Sequence, residues 1–179
     1  GQNTLIGWFG GNIVVYAAGQ SIMAYHDDTG TTTTLGTIPD IPSYAVILGG
    51  SSPDDEFFAI IDARSGYLYI VSTHGVQGYA YVVGAVTWYG AHEYLFTTLI
   101  GNDRSLLMID PPSTQVRTIT AFPQVSFTYS SGPWLAFNPA EDASSLALFD
   151  VPTNQTISIF QHAASTTYQI YPTGSGTFY

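Results

Sequence analysis

The run from Trp134 to Phe160, WLAFNPAEDASSLALFDVPTNQTISIF, limits the possible folds more than any other part of the chain. It holds three short apolar runs, WLAF, LALFDV and TISIF, set apart by Asn-Pro-Ala-Glu-Asp-Ala-Ser-Ser and by Pro-Thr-Asn. Each run is too short for a helix, rich in aromatic and β-branched residues, and bounded by turn formers, so it predicts three antiparallel strands. No segment elsewhere sustains a 3.6-residue apolar period, which predicts essentially no helix.

The same pattern fills the chain. Residues 4–9, 12–18, 21–27 and 31–38 form a first group of strands, turned by Gly10-Gly11 and Asp28-Thr29-Gly30 and ended by Pro39 and Pro42. Gly-Gly between two apolar runs is a hairpin signal. A second group covers 44–50, 56–63, 67–73 and 76–83; a third covers 85–91, 93–100, 105–110 and 115–122. The fourth covers 124–130, 133–137, 145–151 and 155–160. Ser21, Tyr67, Ser105 and Ser145 begin equivalent third strands, at spacings of 46, 38 and 40 residues. Five positions later stand His26, Ser72, Asp110 and Asp150, each closing a strand at a turn. An Asp there accepts hydrogen bonds from turn N–H groups and needs no catalytic role to explain it.

Four groups of four strands at a period near 40 carry the signature of a β-propeller built from four-stranded antiparallel blades. The expected blades are about 4–38, 44–83, 85–122 and 124–160, in a single domain over 1–179. The segments SLALFDVPTNQTISI (145–159), SLLMIDPPSTQVRTI (105–119) and, more loosely, SIMAYHDDTGTTTTL (21–35) resemble blades of the YVTN/WD-repeat-like superfamily. There, a third strand ending in Asp leads through a Thr-containing turn into a Thr-rich fourth strand. The WD dipeptide and the Gly-His pair of true WD repeats are absent. The resemblance implies a fold and no function, because propellers host many unrelated activities.

Beyond the fourth group, residues 165–172 look like another first strand and 176–179 like the start of a second, so a fifth blade is begun. The chain starts at Gly1 rather than Met, as a processed chain or a piece of a longer one would. Three accounts of the tail follow: the rest of the propeller lies elsewhere, the tail closes the ring, or it is donated to a neighbouring copy. The last makes Thr166, Thr167, Tyr168, Gln169, Ile170 and Tyr171 a candidate assembly strand.

Charge narrows the choice of partner. With 3 Lys+Arg against 13 Asp+Glu, no lysine and a net charge of -10, the chain cannot cluster the cations that phosphate backbones or anionic membranes require. No run approaches the 18 apolar residues of a spanning helix, so membrane insertion is not expected. Solubility rests on Ser, Thr, Asn and Gln, which suits an acidic or harsh exterior and an extracellular or cell-surface location. The absence of cysteine removes disulfides and thiol chemistry and leaves the compartment open. Asn154-Gln155-Thr156 is an N-glycosylation sequon on an expected turn.

Catalytic and metal candidates are weak. His26, His74, His92 and His162 show no metal-ligand spacing and read as solvated turn histidines. Asp27-Asp28, Asp54-Asp55-Glu56 and Glu141-Asp142 lack a calcium-loop pattern, although the second cluster has the most hard oxygen ligands. Asp62, Glu93, Asp110 and Asp150 end strands and are the available carboxylates for a glycosidase pair, but nothing in the sequence brings two of them together. Neither a nucleophile elbow nor a phosphate loop is present. Trp8, Trp88, Tyr89, Tyr129, Trp134, Tyr168 and Tyr171 could stack on sugars, although wedge packing between blades accounts for them better, since most sit within alternating strands. The Thr31–Thr34 run suits an exposed fourth strand, or O-linked sugars.

The expectation is therefore a non-catalytic extracellular structural or interaction module, without cofactor or metal. It would associate with copies of itself or with another chain that completes the propeller, with a filament or lattice through its C-terminal strands as one outcome. The alternative is a ligand-binding propeller, such as a glycan-binding lectin or the substrate-binding part of an extracellular hydrolase.

Overall fold

Strand propensity and turn chemistry agree along this chain, and fifteen strands result among the described residues. The computed structural model describes residues 3–9, 11–39, 46–62, 64–111, 113, 115–121, 129–131, 133–137 and 145–161. The expected fifth-blade start, including Thr166–Tyr171, lies outside them, as do His162 and Glu141-Asp142. No helix occurs among the described residues.

The chain divides into two compact units, Gly1–Val83 and Gly84–Tyr179. In the first unit, β1 (Asn3–Phe9), β2 (Ile13–Ala18), β3 (Ser21–His26) and β4 (Thr31–Thr37) form an antiparallel meander, ordered as in sequence. A second meander follows from β5 (Val46–Ser51), β6 (Phe57–Asp62), β7 (Tyr67–Ser72) and the first part of β8 (Gly75–Tyr89). In the second unit, the rest of β8 leads to β9 (Glu93–Ile100), β10 (Asp103–Ile109) and β11 (Val116–Ala121). The fourth meander is β12 (Tyr129–Ser131), β13 (Trp134–Phe137), β14 (Ser145–Asp150) and β15 (Gln155–Gln161).

β8 departs from the expected plan. The sequence predicts two strands, 76–83 and 85–91, broken at Gly84, whereas the structure has one. The glycine marks a close approach instead of a turn: a Cβ there would stand 2.7 Å from Thr97 Oγ1 and 3.1 Å from Arg104 Nη1. Because the strand runs on, the hydrogen-bonding order reads β11-β10-β9-β8-β7-β6-β5.

The repeat is reproduced in the ladders. Pairing between third and fourth strands slips at Ile22/Met23, Tyr67/Leu68, Leu106/Leu107 and Leu146/Ala147, within the first residues of β3, β7 and β14 and midway along β10. Such bulges bend a strand and increase its twist, so the four meanders share one curvature device. In three of them, a glycine at positive φ (Gly19 63°, Gly66 73°, Gly101 65°) turns the second strand into the third.

Each unit has its own core. In the first, Ile6, Phe9, Val15, Ala17 and Ile22 pack with Phe58, Ile60 and Val71 of the second meander. The bulge between Leu5 and Gly7 resets the alternation of β1, so that Ile6 and Phe9 both turn inward. In the second unit, Leu95, Leu106 and Met108 pack with Leu135, Phe137, Ala147, Phe149 and Val151. Each fully buried Leu, Ile or Phe contributes about 1.5–3 kcal/mol relative to exposure.

Candidate functional site

Three of the acidic residues singled out by sequence, Asp54, Asp62 and Asp150, are engaged in their own turns. Asp54 Oδ1 accepts from Ser52 Oγ at 2.5 Å and from Glu56 N at 3.2 Å, while Asp55 holds φ at 57°. This is turn chemistry, in which a short acid caps local N–H groups. Asp62 caps the β6–β7 turn: Oδ1 accepts from Arg64 N at 3.0 Å, and Oδ2 from Ser65 N at 3.3 Å and Ser65 Oγ at 2.5 Å. Burial opposes its ionisation, but the Ser65 hydroxyl, the two N–H groups and the Arg64 charge together hold its carboxyl below the ordinary range. Asp150 accepts from Thr153 Oγ1 at 2.7 Å.

The described histidines stand apart from one another, at the end of β3, in the β7–β8 turn and in the β8–β9 turn. His26 Nε2 lies 3.3 Å from Thr33 Oγ1, and His74 Nδ1 lies 3.4 Å from Thr73 Oγ1. His92 Nε2 lies 3.3 Å from Asp110 Oδ1, which is 66% exposed. Among the described residues, no three His, Asp or Glu side chains are grouped as a metal site would need.

One polar hollow is nevertheless assembled in the second unit, from residues that sequence placed on different strands. Tyr94 pairs with Ile109, so Glu93 and Asp110 follow as the next opposed positions at that end of the β9–β10 ladder. With Met108, Ser113, Gln115 and Arg117 they line a hollow of about 240 Å³. Tyr89, half-buried, has its hydroxyl raised above the ordinary phenol range by burial first, then by the Glu93 and Asp150 charges, against a smaller opposing effect of Arg117. The tyrosine thus keeps its proton at neutral pH. At the other end of the same strands, Leu99, Asn102, Asp103, Arg104 and Ala121 line an open depression of about 410 Å³.

The aromatic candidates divide. Trp88 meets Tyr94 edge to face, with ring centroids 4.7 Å apart, as packing residues do. Trp134 is half-buried, the side chain of Tyr129 is not described, and Tyr168 and Tyr171 fall outside the described residues. Trp8 is 52% exposed and Leu5 57%. Thr31–Thr34 are all exposed on β4. Asn154 is exposed at φ 57° in the β14–β15 turn, a conformation asparagine tolerates well, so the turn alone accounts for its choice.

The exposed Trp8 and Leu5 belong to a larger surface that sequence reasoning did not find. Trp8 pairs with Val14 and Leu5 with Tyr16, and across the next ladder Val14 pairs with Tyr25 and Tyr16 with Met23. Directly opposed residues share a face, so these six side chains make one apolar sheet face. The positions equivalent to Val14, Tyr16, Met23 and Tyr25 are Phe58, Ile60, Tyr69 and Val71 in the second meander. They are Tyr94, Phe96, Leu107 and Ile109 in the third, and Leu135, Phe137, Ala147 and Phe149 in the fourth. All of those are buried except the half-buried Tyr69. In the first meander alone the face stays partly open. A period-2 pattern marks which residues share a face, but not which face receives a neighbour.

No family model matches the sequence, and no curated protein sequence matches it. Solved structures of similar architecture include the tricorn protease, at 14% identity and TM-score 0.51 over 93% of this chain. They also include a TolB protein of Agrobacterium tumefaciens, at 14% identity and TM-score 0.51 over 98% of this chain. A third is the Cps50 (Swd1) β-propeller domain of Myceliophteria thermophila, at 9% identity and TM-score 0.51 over 95% of this chain. The present chain spans 17%, 67% and 62% of those chains, respectively. At such identities the likeness is one of architecture. Built of antiparallel four-stranded blades without a helix among its described residues, this chain has the β-propeller fold.

Proposed function

We propose that this chain is a non-catalytic extracellular structural or interaction module that self-associates. The observation behind this reading is the apolar face of the first blade, which keeps Leu5 57% and Trp8 52% exposed. Equivalent faces in the other blades are buried, and apolar sheet surface of this kind marks interaction sites. The turn-bound acids and dispersed histidines support a module without chemistry of its own. One similar structure is named a protease, but the likeness covers 17% of that chain and is one of fold. Sedimentation velocity across a concentration series tests the reading, and a chain that stays monomeric throughout would sink it. Deleting residues 166–179 separates two routes: lost assembly would assign the contact to strand donation by Thr166–Tyr171, and retained assembly to the sheet face. The extracellular part of the reading expects a glycan on Asn154, read as a mass shift that Asn154→Gln abolishes.

A second reading, glycan binding, is favoured by the hollow lined by Glu93, Asp110, Ser113, Gln115 and Arg117, because mixed donors and acceptors suit a polyol. A glycan array on the wild-type chain with no hits, or hits unchanged by Arg117→Ala, would remove it.

A further inference from the structure

We infer that the open depression at the β9–β10 turn binds a small monocarboxylate with an apolar arm, and that Arg104 takes the carboxylate. The site lies at the opposite end of that ladder from the polar hollow. Binding there is independent of self-association.

Register builds the site. The hairpin turns through Gly101, at φ 65°, and Asn102, so that Ile100 pairs with Asp103 and Leu99 with Arg104. Two residues further along, Thr97 pairs with Leu106, and a strand returns to the same face every second residue. Arg104 therefore stands on the face that buries Leu95, Leu106 and Met108 in the core of the second unit, at its margin, and is half-buried there. Its guanidinium reaches across β9 to β8, where a Cβ at Gly84 would stand 3.1 Å from Nη1. The missing side chain at Gly84 thus clears the place that the head of Arg104 occupies.

That charge is unmet. A guanidinium stays protonated at physiological pH, and half-burial strips part of its water. The chain has 13 Asp+Glu to offer, yet Arg104 has no hydrogen-bond or ion-pair partner among the described residues. Asp103, the preceding residue, is turned to the other face by strand alternation. The depression has a volume of about 410 Å³ and is lined by Leu99, Asn102, Asp103, Arg104 and Ala121. Small-ligand sites span about 300–1,000 Å³. Leu99, directly opposite Arg104, is 60% exposed, and Ala121 of β11 is exposed as well. A single cation beside apolar wall is complementary to an apolar acid: the carboxylate accepts from two guanidinium N–H groups, and the arm covers Leu99 and Ala121. A dianion fits less well, because it also meets Asp103 and the long-range repulsion of a chain with net charge -10. An arginine that only covered core surface with its stem would keep its head in open water, whereas here the head lies over Gly84 beside the hollow.

Calorimetric titration of the whole chain with isocaproate tests this, with saturation-transfer NMR as a second readout. Binding should saturate at a single site with a Kd on the order of 1 mM, as a small ligand on an open site allows. Acetate lacks the arm and isohexyl alcohol lacks the charge, so each should bind much more weakly, and inorganic phosphate should not compete. Arg104→Gln should lower the affinity for isocaproate about tenfold or more, as loss of a charge-assisted hydrogen bond predicts. Arg104→Lys should restore part of it, since an ammonium keeps the charge without the fork. Leu99→Ser, at an exposed position, is an independent second variant and should also weaken binding. Arg64→Gln, in the other unit, controls for overall charge and should leave binding unchanged. Far-UV circular dichroism checks that each variant keeps its β structure, and if Arg104→Gln does not fold, Arg104→Lys and Leu99→Ser decide. No saturable binding of isocaproate, binding untouched by these variants, or phosphate binding as tightly would each overturn the inference. Acetate binding as tightly as isocaproate would overturn it too, by removing the apolar arm.

Discussion

Asp62 shows how a single carboxylate is tied to the fold. It closes the turn after β6 with three hydrogen bonds to Arg64 and Ser65, and its residue is only 8% exposed. Against the opposing effect of burial, those bonds and the Arg64 charge hold its pKa below the ordinary value of 3.8. A depressed carboxyl stabilises the fold fully above its unfolded value, and the contribution disappears as pH falls through the lower folded value. Asp62→Asn should therefore cost about 1–2 kcal/mol at neutral pH, through loss of charge-assisted bonds. It should also flatten the loss of stability on acidification below about pH 4. Urea unfolding at several pH values reads both, and an unchanged acid limb would count against the assignment. Tyr94 presents the opposite case. Its side chain is fully buried, burial pushes its hydroxyl far above the ordinary phenol range, and the oxygen has no protein hydrogen-bond partner among the described residues. A buried hydroxyl without a partner carries its desolvation cost unrepaid, so Tyr94→Phe should stabilise the chain by about 1 kcal/mol. A loss of that size in the same titration would show that the hydroxyl is satisfied. The turn role of Asp150 could be read from sequence because such side-chain bonds are local, whereas Asp110 sets its carboxylate 3.3 Å from His92. The state of Tyr94 could not, since it depends on neighbours distant in the chain.

At the scale of elements, the strands were legible because their boundaries are chemical. Gly10-Gly11, Asp28-Thr29-Gly30 and Pro152-Thr153-Asn154 all stop or turn an extended chain whatever surrounds them. The bulges at Ile22/Met23 and at its three equivalents were not legible, because an extra residue in a ladder leaves composition and apolar pattern almost unchanged. Gly84 misled for a related reason: a lone glycine in a strand reads as a break, while here it makes room for Thr97 and Arg104. Gly7 plays a similar part in the first unit. A Cβ at Gly7 would collide with the ring of Phe58, which itself meets Phe9 edge to face at 4.8 Å and 85°. The contact between first and second blades is thus set by a missing side chain on β1. Gly7→Ala should overpack it and cost about 1–3 kcal/mol. Adding Phe58→Leu should recover part of that loss, since the smaller side chain vacates the space. Unfolding midpoints of the single and double variants test this, and a harmless Gly7→Ala would mean that the two blades can separate slightly at no cost.

For the whole molecule, the open face and the charge balance bear on each other. Which face of a meander is covered cannot be read from one strand: Val15 and Tyr16 are adjacent apolar residues, yet Val15 is fully buried and Tyr16 only half-buried. The difference arises because the second blade stacks on the side that carries Val15. A net charge of -10 makes the approach of two copies unfavourable at long range, while the apolar faces attract at contact. Salt acts on these two contributions in opposite senses to a polar interface. It screens the repulsion, with a Debye length of about 10 Å at 0.1 M falling to about 3 Å at 1 M, and leaves apolar burial intact. Assembly should therefore strengthen between about 20 mM and about 500 mM sodium chloride, a range over which that screening length contracts severalfold. It should strengthen as well when the pH is lowered towards the isoelectric point near 4.2, where repulsion between copies vanishes. Light scattering on one sample, titrated with salt and then with acid, tests the balance. Dissociation by salt would mean that ion pairs through Arg64, Arg104 or Arg117 hold the copies together, because only oppositely charged contacts weaken when screened. Trp8→Glu offers an internal comparison, since its added carboxylate should suppress assembly at low salt and at high salt alike, through lost apolar contact and not through charge alone.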